Sequence, residues 1–132
     1  MSTETSLKDL QKELTSLALK IGKESSVNLD YSLGSIHFVD DILETVHKSY
    51  LSTKDETGLN GIALEFGAYL VSVIEKNIGE GVWERDSVEM GKDTFPYTLR
   101  SGEVILPYSW CLKRILNGEE DSIQKKFEVF AE

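Results

Sequence analysis

Leu59-Asn60-Gly61-Ile62-Ala63-Leu64-Glu65-Phe66-Gly67-Ala68-Tyr69-Leu70-Val71-Ser72-Val73-Ile74-Glu75-Lys76-Asn77-Ile78 is apolar over more of its circumference than any other stretch of the chain. Leu59, Ile62, Phe66, Tyr69, Leu70 and Val73 recur at the three- and four-residue steps of one helical face. Ala63, Ile74 and Ile78 widen that stripe, and Leu64 and Val71 fall on the far side. A surface helix keeps a charged face of its own, so this pattern predicts a central helix over 59–78 with neighbours on several sides. Gly61, Gly67 and Ala68 predict close approach of another backbone, since a glycine in a helix costs up to about 1 kcal/mol relative to alanine.

Upstream, Leu7, Leu10, Leu14, Leu17 and Ile21 step by three and four, predicting an amphipathic helix from Ser6 to Ile21, ended by Gly22. Ser6 and Asp9 suit its first turn. The seam is too short to specify a coiled coil, so docking on the core is the expected role. Ser32 offers an N-cap for a second helix from Leu33 to about Tyr50, with Ile36, Val39, Ile42, Leu43, Val46 and Tyr50 on its inner face.

Beyond Gly79 and Gly81 the texture changes to aromatic and β-branched residues in short runs. Strands are expected at 81–84, 95–99 and 103–106, the last two joined by an Arg100-Ser101-Gly102-Glu103 turn. Pro96 cannot donate a ladder hydrogen bond and must stand at an edge or at a strand start. Pro107 suits the first turn of a helix reaching Leu116, closed by Asn117-Gly118. Trp110, Cys111, Ile115 and Leu116 are its inward candidates. Glu119, Glu120 and Asp121 then lead a last helix whose stripe is Ile123, Phe127 and Phe130. The whole reads as a helix-rich α+β domain spanning 1–132, with 1–5 as a flexible start: three helices, a small antiparallel sheet of two or three strands, then two helices.

The order Leu29-Asp30-Tyr31-Ser32, Ala68-Tyr69-Leu70, Gly81-Val82-Trp83, Pro107, Lys113-Arg114-Ile115-Leu116-Asn117-Gly118 and Asp121-Ser122 resembles a group of small uncharacterised bacterial domains of unknown function, over roughly residues 29 to 127. The resemblance implies a helix-rich α+β fold and a bacterial origin, and it brings no catalytic or binding residues.

Composition narrows the function classes. The chain has 132 residues, 14 basic and 23 acidic side chains and a net charge of -9. That charge disfavours nucleic acid and anionic lipid, and the pairs Lys113-Arg114 and Lys125-Lys126 are too short to make a basic patch. Cys111 is the only cysteine, which excludes an internal disulfide and reads as a small buried hydrophobe rather than a nucleophile. The opening Met-Ser-Thr-Glu-Thr-Ser lacks the pattern of a secretory signal, and no apolar run is long enough to span a bilayer, so the cytoplasm is the expected location. No phosphate-binding glycine motif is present.

One chemical constellation stands out. His37, Asp40, Asp41, Glu44 and Lys48, with His47 at the edge, are expected on the second helix opposite its apolar face. Metal sites need such spacing, but also a second element to hold the ligands, and none is offered here. The expected state is a solvated charged face, on which Asp40→Ala changes stability by no more than about 0.5 kcal/mol, whereas Phe66→Ala costs about 3 to 5 kcal/mol. Glu65, between Leu64 and Phe66, is expected at a helix edge with its carboxylate in water. No catalytic, cofactor-binding or metal-binding residue is assigned, and no cofactor is implied.

Two functions compete. A small acidic protein that binds another protein, for instance an immunity- or antitoxin-like inhibitor or an adaptor, fits the charge and the lack of a catalytic set. The alternative is an enzyme or ligand binder with a cleft between sheet and helices, walled by Trp83, Tyr97, Tyr108 and Trp110 and served by Glu65, His37 or His47.

Overall fold

The computed structural model describes residues 3–89 and 91–130. Helices α1 (Thr3–Glu24), α2 (Ile36–Thr53) and α3 (Leu59–Asn77) precede strands β1 (Val82–Trp83), β2 (Tyr97–Thr98) and β3 (Val104–Ile105). Helices α4 (Pro107–Asn117) and α5 (Ile123–Phe130) follow. The α+β order read from the sequence is therefore the observed one. α1 starts earlier than Ser6 and runs past Gly22, taking in part of the stretch expected to be flexible; residues 1–2 lie outside those described. Gly22 is a packing point rather than a stop: a Cβ there would meet the Leu29 side chain at 3.0 Å.

α3 is the hub. Phe66, Ala68, Tyr69, Leu70, Val71, Val73 and Ile74 have no exposed surface, so the far side that carries Val71 is covered as well as the main stripe. α4 and α1 pack on it. α4 comes closest at Gly67, where an added Cβ would sit 3.0 Å from the Cα and N of Tyr108; Gly61, by contrast, faces open space. Tyr69 is buried with its hydroxyl satisfied, 2.6 Å from Ser35 Oγ and accepting the Tyr31 N–H at 3.0 Å. Ser32 caps the 3-10 turn before α2 by accepting the Ser35 N–H at 3.2 Å. The helix ends where Ile78 and Gly79 both donate to the Ile74 carbonyl.

The sheet is antiparallel in the order β1-β2-β3, with Trp83 opposite Tyr97 and Tyr97 opposite Ile105. Its inner row, Trp83, Tyr97 and Ile105, is buried, and its outer row is Val82, Thr98 and Val104. Pro96 immediately precedes the central strand, as a strand start. Gly102 takes φ +94° in the turn between β2 and β3, where its N–H reaches the Leu99 carbonyl at 2.8 Å.

Two expectations for α2 are overturned. Asp40 is only 9% exposed, and Glu44 is half-buried; neither belongs to a solvated face. Successive helical residues turn by about 100°, which places Asp40 four residues after Ile36 and three before Leu43, within the buried stripe. There it meets Arg114 of α4, itself 3% exposed, with Nε 3.0 Å from Asp40 Oδ1 and Nη1 2.9 Å from Glu44 Oε1. Asp40 also accepts the N–H groups of Ile123 and Gln124 and the Ser122 hydroxyl, each at 2.9 Å. One carboxylate on α2 thus pairs with Arg114 of α4 and caps the first turn of α5. Ile123 and Phe127 are buried below that cap, and the side chain of Phe130 lies outside those described.

Candidate functional site

The residues singled out for chemistry do not converge. His37 Nε2 lies 3.4 Å from Asp41 Oδ2 on the solvent side, whereas Glu44 is turned inward onto Arg114. His47 is directed to α4, its Nδ1 2.7 Å from the Ile115 carbonyl. Among the described residues, no three of His, Cys, Asp and Glu are grouped to hold a metal ion. Glu65 is partly buried, and desolvation raises its carboxyl above the ordinary range. Cys111 is fully buried, and burial pushes its thiol far up, so it is protonated and unreactive at neutral pH.

The aromatic residues proposed as walls of one cleft are divided between two packing clusters. Trp83 packs on Phe95 at 5.4 Å and donates its indole N–H to the Phe95 carbonyl, and Phe95 meets Tyr108 edge-on. Trp110 instead meets Phe127 of α5. Tyr97 is in the core.

A groove does open on the other side of the sheet edge. Leu7, Lys8 and Gln11 of α1, Glu75 of α3 and the run from Glu80 to Asp86 enclose about 570 Å³. Its base is ordered by Glu75, whose Oε1 accepts from Gln11 Nε2 at 3.0 Å and whose Oε2 accepts from the Tyr97 hydroxyl at 3.3 Å. That hydroxyl in turn accepts the Gly81 N–H at 2.6 Å. Burial, with the nearby Glu75 charge as a smaller contribution, pushes Tyr97 up to about 12. Gly81 is required here: a Cβ would fall on the Thr98 carbonyl oxygen.

Both oxygens of Glu75 accept hydrogen bonds from within the fold, which fixes the orientation of its carboxylate. Glu80, Glu84 and Asp86 add three exposed carboxylates. Of the two cations in the wall, Lys8 faces Glu80 at 3.5 Å across the rim. Arg85 is matched by Asp93 at 3.7 Å and lies over the Phe95 ring at 5.7 Å. The remaining field is negative, which suits cationic side chains and not phosphate. Glu75 was legible in the sequence only as an acid of the central helix; its role depends on Gln11 and Tyr97, 64 and 22 residues away. No described helix is long and apolar enough to cross a membrane. No family model matches the chain, and neither the curated proteins nor the solved structures contain a match to it.

Proposed function

We propose that the chain is a small acidic cytoplasmic module that works by binding another protein, as an immunity- or antitoxin-like inhibitor or an adaptor. The supporting observation is the groove beside β1, where Glu75, Glu80, Glu84 and Asp86 outnumber cations that already have anionic partners. With a net charge of -9, such a surface speeds encounter with a basic partner and rejects anionic ones. Nucleic acid and lipid headgroups are disfavoured by the same field.

The test is affinity capture from the source cell with the immobilised full chain, at low and at moderate salt. A basic protein retained at low salt and released as salt rises is the expected result, because exposed charges are screened within about 8 Å at physiological ionic strength. Capture of no protein at either salt overturns the reading.

A further inference from the structure

We propose that the free edge of β1 takes up an extended segment of a partner protein in which lysine or arginine alternates with an apolar residue. This rests on the protein-binding reading and names its surface and the chemistry of its ligand. β1 stands at one edge of the sheet, with β2 on one side only. Val82 is paired with Thr98, and the Glu84 N–H bonds the Pro96 carbonyl at 3.0 Å. In an antiparallel ladder the residue between two such pairs turns its main-chain groups the other way. The N–H and C=O of Trp83 are therefore directed away from β2, and Trp83 is itself among the residues that line the groove.

The side chains around this edge set the ligand. Glu80, Val82, Glu84 and Asp86, at every second position, are exposed, and Val82 is 57% exposed. A residue paired with Val82 would extend the outer row of Val104, Thr98 and Val82, so it is apolar. Residues two positions to either side would lie across from Glu84, which has no cationic partner among the described residues, and from Glu80, which a ligand cation would share with Lys8, so they are cationic. The intervening residues point into the groove toward Glu75. Exposed edges are commonly guarded by lysine or proline, and the run from Glu80 to Glu84 carries neither. β3, the other edge, has a similar outward valine in Val104, and it is β1 whose run from Gly81 to Asp86 lines the groove.

The probe is a capped peptide with a central valine, lysines at every second position around it and threonines between, titrated into the isotope-labelled full chain and followed by amide NMR. Saturable shifts centred on the Trp83 amide and confined to 80–86 and the other residues lining the groove, Leu7, Lys8, Gln11 and Glu75, are expected. The same peptide N-methylated at the two threonines flanking valine should bind at least about tenfold more weakly, because main-chain pairing is blocked while charge is kept. Glu84→Lys, an exposed substitution whose fold the same spectrum checks, should also lose the peptide. Absence of a saturable Trp83 shift at millimolar peptide overturns the proposal, and so does equal binding of the N-methylated peptide, which would mean attraction by charge alone. A protein captured from the cell that Glu84→Lys holds as well as the native chain also removes strand addition here while leaving protein binding in place.

Discussion

Arg114 Nε lies 3.0 Å from Asp40 Oδ1, and the two residues, on α4 and α2, are 3% and 9% exposed. The guanidinium spends a second N–H on Glu44 at 2.9 Å. Asp40 uses its remaining capacity on Ser122 and on the amides of Ile123 and Gln124. Three helices thus meet at one carboxylate, which holds α5 by its first turn.

Removing one partner of such a pair leaves an uncompensated buried charge, so Asp40→Ala should destabilise by about 3 to 5 kcal/mol, comparable with Phe66→Ala. Arg114→Ala should do similar damage, and the double variant should cost less than the two added together. Urea denaturation measures all four. Hydrogen exchange at Ile123 and Gln124 should quicken in Asp40→Ala. An Asp40→Ala midpoint equal to the native one would contradict the burial of the pair.

Gly67 and Gly61 should respond oppositely to alanine although both lie in α3. At Gly61 nothing stands within 4 Å of a new Cβ, so alanine should stabilise by about 0.5 to 1 kcal/mol through helix propensity. At Gly67 the new Cβ presses on the Tyr108 backbone at 3.0 Å, and a shift of α4 should cost about 1 to 3 kcal/mol. Thermal melts of the two variants should move in opposite directions.

Tyr97 predicts an alkaline limb in stability. Its folded value is raised to about 12, so the neutral hydroxyl is the form the fold favours. The contribution is complete below the unfolded tyrosine value of about 10 and is lost as pH rises through about 12. Between these values the melting temperature of the native chain should fall more steeply than that of Tyr97→Phe. Parallel profiles would remove Tyr97 as the cause.

Zinc or manganese should not stabilise the fold. A site at His37, Asp41 and Glu44 would add about 2.7 kcal/mol at a hundredfold excess over its dissociation constant. Glu44 is engaged by Arg114, and the exposed His37–Asp41 pair alone offers no third ligand from its own stripe. A large rise in melting temperature with sub-millimolar metal, lost in His37→Ala, would show that the ligands can be rearranged.

Local order was legible in the sequence because it depends on residues a few positions apart. The three- and four-residue spacing through Phe66, Tyr69, Leu70 and Val73 marked the central helix, and Ser32, Gly102 and Pro107 marked a cap, a turn and a helix start through their own backbone and hydrogen-bonding chemistry. What only the tertiary structure decided was the partner of each buried polar group. Asp40 has the charge of a solvated residue, yet its place between Ile36 and Leu43 puts it on the apolar stripe. An aspartate there is tolerable only when a distant cation and free helix amides arrive to meet it, and Arg114 and α5 lie 74 and 83 residues away in the chain. The groove has the same origin: Gln11, Glu75 and Tyr97 are ordinary polar residues until folding brings α1, α3 and β2 together and fixes a carboxylate beside a strand edge.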